Sequence, residues 1–198
     1  MIITNGKIVT WGDPNEILED KALLIQHGLI QEIADETELR AAHPEEELLD
    51  AQGQMVMPGL ICAHTHFYGA FSRGMATPGE PSRNFQEILA NLWWKLDKGL
   101  DEEGVKYSAL SLLADATRYG CTTLFDHHAS PNCIDGSLDI EADAVMESGL
   151  RASLCYEVTD RDGKEKALAG IRENSRFISG VEAGNYSPML RAHFGLHA

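Results

Sequence analysis

The pattern of apolar and polar positions changes near Pro58, and the two parts of the chain predict different structures. Before Pro58, short apolar runs are separated by turn residues, and His27-Gly28 between two of them is typical of a tight hairpin. After Pro58, short apolar runs alternate with longer segments whose apolar residues recur at helical spacing. The first part therefore predicts a small β domain, and the second predicts a parallel sheet built from βα units.

Four strands and four helices are predicted after Pro58. The strands lie near 58–64, 121–126, 151–156 and 191–197, and the helices near 84–98, 102–119, 139–148 and 164–182. Four βα units make half of an eight-stranded barrel. Since the sequence ends at a predicted strand-to-loop junction, we expect this chain to be the N-terminal piece of a protein that is about twice as long.

Two histidines stand at the end of the first of these strands. His64-Thr65-His66 follows the apolar run 60–63, and alternation along a strand would place both imidazoles on one face, with Cα atoms roughly 6.5 Å apart. Both rings can then reach one metal ion, although a pair of hydrogen-bonded histidines is the ordinary alternative. The run is continuously apolar, which predicts a strand buried on both faces. Asp126-His127-His128 and His197 end two further predicted strands, at the edge where α/β folds hold their sites.

Composition and charge narrow the class of protein. The 198 residues are 43% hydrophobic, enough for a core, and the net charge of −15 argues against nucleic-acid or membrane binding. No apolar stretch approaches the ~20 residues that span a bilayer, and the first residues do not resemble a signal peptide, so a cytoplasmic location is expected. The four cysteines lack a Cys-x-x-Cys pair and are interpreted as reduced core thiols.

Three segments resemble a known enzyme superfamily. The segment 58–66, Pro-Gly-Leu-Ile-Cys-Ala-His-Thr-His, resembles the first-strand motif of the amidohydrolases, and segments 28–33 and 120–123 resemble the hairpin and second strand of their deaminase and chlorohydrolase branch. Segments 66–68, 72–74, 91–97 and 126–131 resemble bacterial aminohydrolases associated with selenium metabolism. The resemblance implies an α/β fold: a composite β-sandwich domain over 1–57, then the first half of a metal-dependent (β/α)8 TIM-like barrel over 58–198, truncated after strand four.

The resemblance also implies roles for three histidines. His64 and His66 match two ligands of one divalent metal ion, with zinc expected first and iron as the alternative. His197 matches a substrate contact, where binuclear members have a carboxylated lysine, and so favours the single-metal type. The catalytic glutamate and histidine of the superfamily would lie beyond residue 198, so no catalytic residue is assigned within this chain.

Four further residues are candidate substrate contacts. His127 and His128 point to opposite faces of a strand, so at most one of them lines the barrel mouth; the other reading is a hydrogen-bonded supporting histidine. Trp94 offers a stacking surface, although adjacent tryptophans on a helix are more often core. Arg73 follows the metal pair and either contacts substrate or anchors its loop.

The predicted function is hydrolysis of a C–N bond other than a peptide bond. The expected partner is a small aminated heterocycle, purine-, pyrimidine- or triazine-like, deaminated by metal-activated water. Cyclic amide hydrolysis, as in dihydropyrimidinases or imidazolonepropionases, is the alternative, and the chain as given is expected to be an inert fragment. Homodimers are common in the resembled branch, so a homodimer is one expectation, which nothing in the sequence supports independently.

Overall fold

The structure is a computed structural model that describes residues 1–76 and 79–197. The chain divides into two compact units, Met1–Pro58 and Gly59–Ala198. No helix in these described ranges is both long and apolar enough to cross a membrane.

The first unit holds two small sheets and one helix. Its elements are β1 Ile2–Thr4, β2 Lys7–Val9, β3 Ile17–Leu18, β4 Lys21–Gln26, β5 Leu29–Asp35, α1 Glu36–Ala42, β6 Leu48–Asp50 and β7 Met55–Val56. One sheet has the order β5-β4-β1-β6 and the other β3-β2-β7. The buried side chains of Ile2, Ala22, Leu24 and Leu39 form its core.

Two turns of the first unit follow from local sequence. His27 and Gly28 have φ values of 53° and 75°, and they join antiparallel β4 and β5 as the predicted hairpin turn. The first ten residues form two strands, because Asn5 turns the chain at φ 51° and sends β1 and β2 into different sheets. Asparagine is one of the few residues that adopt this conformation readily.

The second unit is a parallel sheet with helical connections. Its elements are β8 Leu60–Thr65, a 3-10 helix Phe67–Ser72, α2 Phe85–Ile88, a π-helical turn Leu89–Trp93, α3 Trp94–Leu96, a 3-10 turn Asp97–Gly99, α4 Glu102–Arg118, β9 Cys121–His128, α5 Ser137–Ser148, β10 Arg151–Val158, α6 Lys164–Glu182, β11 Leu190–Ala192 and β12 Gly195–Leu196. The strands run β8-β9-β10-β11 in chain order, all parallel, and β12 also pairs with β10. This is the predicted α/β fold of successive βα units.

The helices begin and end where local chemistry indicates. The Asp101 side chain caps α4 by accepting from the Gly104 amide, and Gly120, at φ 76°, turns the chain into β9. The helix α6 has the predicted bounds. The main core lies between the sheet and its helices and includes Leu113, Leu124, Val145, Leu154 and Phe177.

Three predicted features differ from the structure. The strand β8 is not buried on both faces: Leu60 and Ile61 are 41% and 65% exposed, because in the described chain β8 pairs on one side only, with β9. The helix predicted over 84–98 is interrupted by the π-helical turn. The fourth strand is interrupted at His193 and Phe194, between β11 and β12.

Candidate metal and substrate site

His64 and His66 converge at the end of β8. Their Nε2 atoms are 3.2 Å apart, and the two rings meet edge to face. The pairing of β8 with β9 shifts register between Cys62 and Thr65, so the backbone is irregular where the first histidine leaves the sheet. The structure therefore brings the predicted ligand pair together at an irregular strand end.

The ring orientation of His66 is fixed by a main-chain acceptor. Its Nδ1 lies 2.7 Å from the carbonyl oxygen of His127, and since that oxygen can only accept, Nδ1 carries the hydrogen. In the neutral ring, Nε2 is then a lone pair directed at His64. Burial lowers the pKa of His66, with the neighbouring His127 and His64 adding to the effect, so the neutral form is favoured.

His127 lies beside this pair and connects it to a buried carboxylate. Its ring centroid is 5.6 Å from that of His66 and 6.1 Å from that of His64, and its Nδ1 is 3.5 Å from Glu157 Oε2. Burial alone would raise the pKa of Glu157, but His127, His197 and Arg161 together hold it below its usual value. Glu157 is therefore an ionised carboxylate at the end of β10.

A cavity of about 250 Å³ opens beside the histidines. Such a volume is slightly below the usual range for small-molecule sites, about 300 to 1,000 Å³. Its lining includes three aromatic side chains, Phe85, Trp93 and Trp94, here called the aromatic wall, and three charged ones, Asp97, Glu157 and Arg161, here called the charged wall. The lining residues are His64, His66, Tyr68, Phe85, Leu89, Trp93, Trp94, Asp97, Glu157, Arg161 and His197.

The aromatic wall comes from the interrupted helix. The π-helical turn ends at Trp93, and both tryptophans of the pair reach the cavity, Trp93 with its ring centroid 5.7 Å from that of His66. π-helical turns occur frequently at functional sites because they redirect side chains. Tyr68 packs edge to face on Trp93, and burial raises the pKa of its hydroxyl, so the group stays protonated as a hydrogen-bond donor.

The charged wall is an arginine held by three carboxylates. Arg161 pairs with Asp97, lies 3.7 Å from Glu157 and 3.3 Å from Asp162, and stacks over Trp94 at 5.5 Å. Its Nη1 is buried without a hydrogen-bond partner among the described residues. Burial raises the pKa of Asp97, while the ion pair with Arg161 opposes that rise.

The structure gathers some of the predicted site residues and separates others. His64, His66, Trp94 and His197 line the cavity, and His127 lies beside the pair of His64 and His66 without lining it. Two further predicted substrate contacts lie away from it. Arg73 is bound to Asp115 and Ser111 of α4, and His128 is fully buried against Glu141 and Ser130 on the other face of β9.

The sequence reasoning missed the charged wall. Glu157, Asp97 and Arg161 meet across 60 and 64 positions of chain, a pairing that no local pattern indicates. Glu157 did have a signal: it is a carboxylate at the end of a predicted strand, at the same sheet edge as the histidines.

The donor set at His64 and His66 fits a divalent metal ion. The hydrogen bond from Nδ1 of His66 fixes the orientation of the ring and keeps the hydrogen on Nδ1, so that Nε2 presents a lone pair. This arrangement is usual for metal-ligating histidines. With Nε2 of His64 only 3.2 Å away, the two imidazoles suit zinc or another borderline divalent ion.

Comparison with known proteins identifies the family. Residues 55–198 match the amidohydrolase family along their whole length. The chain belongs to the amidohydrolase family. This membership confirms the predicted family.

Two relatives of this amidohydrolase chain are named as deaminases. It is 32% identical over 198 residues to a 5-methylthioadenosine/S-adenosylhomocysteine deaminase of Pyrococcus furiosus and 29% identical to a 5'-deoxyadenosine deaminase of Methanosarcina barkeri, covering all of this chain in both cases. The chain spans 43% and 42% of the length of these relatives.

Solved structures confirm the fold of the amidohydrolase chain. Guanine deaminase from C. acetobutylicum, with bound guanine, superposes with a TM-score of 0.79 at 14% identity, over 99% of this chain and 46% of its own. Atrazine chlorohydrolase from Arthrobacter aurescens TC1, complexed with zinc, gives 0.74 at 20% identity, over 98% and 46%. The predicted fold, the first part of a TIM-barrel amidohydrolase, is correct.

Proposed function

We propose that this chain supplies the first half of a mononuclear metal-dependent aminohydrolase that deaminates a small aminated heterocycle. The observation that supports this proposal most directly is the position of the Nε2 atoms of His64 and His66, which lie 3.2 Å apart beside a cavity with aromatic lining. The deaminase relatives support an adenine-like ring as the substrate class. In this proposal, residues 1–57 form the small β domain and 58–198 the first half of the barrel.

The chain's own side chains hold the metal ion and the ring. His64 and His66 would bind one divalent ion, zinc or else iron, which supplies a nucleophile near neutral pH by lowering the pKa of water. Trp94 offers a flat face to a heteroaromatic ring, Glu157 accepts hydrogen bonds from amino groups, and the free Nη1 of Arg161 donates to a ring nitrogen or carbonyl.

His197 also lines the cavity and is proposed to contact substrate. The remaining metal ligands and the catalytic glutamate and histidine are proposed to follow residue 198, since the relatives are more than twice as long. A cytoplasmic location, a homodimer and the resemblance to selenium-associated aminohydrolases stay predictions.

The test is ammonia release by the full-length, zinc-loaded protein against aminated purines, pyrimidines, nucleosides and triazines. We expect turnover of at least one ring, and loss of both turnover and one metal equivalent in His64→Ala and His66→Ala. His43→Ala, a histidine of the first unit, is the matched control and should change neither. Full metal content after both site substitutions, or hydrolysis of a cyclic amide without ammonia release, would contradict the proposal.

A further inference from the structure

Three ionisable side chains meet on the other face of β9, away from the cavity. Asp126 and His128 alternate with His127 along β9, and their side chains lie close to that of Glu141 on α5. All three are 0% exposed. One ligand atom from each lies within 4.8 Å of the others.

The outward-facing atoms of this cluster already have partners. Asp126 Oδ1 accepts a hydrogen bond from the Phe67 amide at 2.6 Å. His128 Nε2 lies 2.8 Å from Ser130 Oγ, and that hydroxyl donates its only hydrogen to the Cys133 carbonyl oxygen. Ser130 must therefore accept from His128, so Nε2 carries the hydrogen and Nδ1 of the neutral ring is a lone pair.

The inward-facing atoms have no partner outside the cluster among the described residues. Asp126 Oδ2, His128 Nδ1 and both carboxylate oxygens of Glu141 are buried and face one another. Glu141 Oε1 is 2.8 Å from His128 Nδ1, but the contact is not aligned as a hydrogen bond. Burial raises the pKa of both carboxyl groups well above their usual values and lowers that of His128 to about 4, as expected where counter-charge is missing.

We propose that Asp126, His128 and Glu141 form a second, structural metal site that binds one divalent cation through Asp126 Oδ2, His128 Nδ1 and the Glu141 carboxylate. One divalent ion neutralises the two buried carboxylates, which otherwise face each other and a lone pair in a closed interior. One imidazole nitrogen with carboxylate oxygens is a donor set for zinc, manganese or iron(II), whereas calcium takes oxygen ligands.

The supporting contacts are those of a metal-binding histidine. The second ring nitrogen of His128 is held by Ser130, which fixes the tautomer and leaves Nδ1 to coordinate. Two ligands bound tetrahedrally to zinc lie about 3.4 Å apart, so the 2.8 Å pair of His128 and Glu141 would open by about 0.6 Å on binding.

The site would tie α5 to the strand that supports the first metal pair. Asp126 holds the Phe67 amide, directly after His66, and the strand supplies the His127 carbonyl that orients the His66 ring. The competing explanation is two protons, one shared by Asp126 and Glu141 and one on His128. Elemental analysis detects a bound metal ion and does not detect protons, so it distinguishes the two explanations.

The experiment counts metal in the full-length protein after chelator treatment under denaturing conditions and refolding with zinc, because a closed site is filled during folding. Wild type should hold two equivalents and the double variant His64→Ala/His66→Ala one. Adding Glu141→Gln, which preserves the volume of the side chain, should remove that last equivalent. Glu147→Gln, exposed on the same helix, should retain it.

A second measurement covers a double variant that fails to fold. Glu141→Gln alone should lower the wild-type content from two equivalents to one. It should also reduce the rise in the thermal midpoint that zinc produces in wild type, because the site at His64 and His66 still binds one ion. One equivalent in wild type that Glu141→Gln leaves unchanged would overturn the proposal and favour protons. If His64→Ala/His66→Ala retains the wild-type metal content and Glu141→Gln loses one equivalent, this second site is supported even though the His64 and His66 assignment fails.

Discussion

His66 donates from Nδ1 to the main-chain carbonyl oxygen of His127, across 2.7 Å and between adjacent strands. The two histidines therefore have different roles: His66 presents the Nε2 atom of its ring, and His127 contributes its backbone carbonyl oxygen. The ring of His127 is instead turned toward Glu157, 3.5 Å from its carboxylate. A histidine beside a ligand pair is therefore not itself assigned as a ligand.

Replacing His127 by alanine should spare the first metal site. The substitution keeps the carbonyl that orients His66, so affinity for the metal equivalent that depends on His64 and His66 should fall by less than about tenfold, the lower limit typical of losing a supporting contact. His66→Ala should lose that equivalent altogether. Competition with a chelating dye measures both, and equal losses in the two variants would make the His127 ring a ligand.

Local signals in the sequence were enough to predict most elements of the second unit. The helix α6 runs over Lys164–Glu182 as predicted, and α4 lies between its Asp101 cap and Gly120. Capping and periodicity are properties of neighbouring residues, so they can be read without tertiary information. The same holds for His64 and His66. Their spacing of two positions at a predicted strand end is a local property of the sequence.

What the sequence could not predict depends on long-range packing. The pairing of Arg161 with Asp97 spans 64 positions, and the interruption of the helix before Trp94 has no glycine or proline to mark it. Strand alternation predicts that His127 and His128 face opposite sides, but which one lies beside the pair of His64 and His66 depends on the register of β9 against β8. The sequence allows two roles for Arg73, a substrate contact or a loop anchor, and only its contact with Asp115 distinguishes them.

The two arginine pairs should differ strongly in their effect on stability. Arg161→Met leaves Asp97, whose side chain is 1% exposed, without its partner and should lower the free energy of unfolding by about 3 to 5 kcal/mol. Arg73→Met removes a pair that is 58% and 42% exposed and should cost about 1 kcal/mol or less. Urea unfolding of both variants provides the comparison.

The cause can be checked with a second substitution. Arg161→Met/Asp97→Leu removes the stranded carboxylate as well, and should recover part of the lost stability. A double variant less stable than Arg161→Met would show that Asp97 stabilises the fold independently of the arginine.

Glu157 should give the fold a dependence on acid pH. Its pKa in the folded protein is below the ordinary 4.5, so between these two values the unfolded chain binds the proton more readily and stability rises with pH. The contribution is complete above about pH 4.5 and is lost as pH falls through the folded pKa. Glu157→Gln should flatten this part of the profile of urea midpoint against pH between 3 and 6; an unchanged slope would assign the acid sensitivity to other carboxylates.

Gly195 should not tolerate a side chain, because its backbone packs closely against β10 and the His127 ring. A Cβ there would lie 2.6 Å from the Tyr156 carbonyl oxygen, 2.7 Å from Cys155 Sγ and 3.0 Å from His127 Nε2. Gly195→Ala should therefore destabilise the fold by about 1 to 3 kcal/mol in urea unfolding.

Gly99→Ala is the control, since a Cβ there meets nothing within 4 Å and the backbone is not left-handed. It should be neutral or stabilise the fold by up to about 1 kcal/mol. Adding Cys155→Ala to Gly195→Ala removes the sulfur contact but leaves the carbonyl contact with Tyr156, so recovery should be partial. Full recovery would mean that the backbone can move and that the close approach of β12 to β10 is set by the cysteine alone.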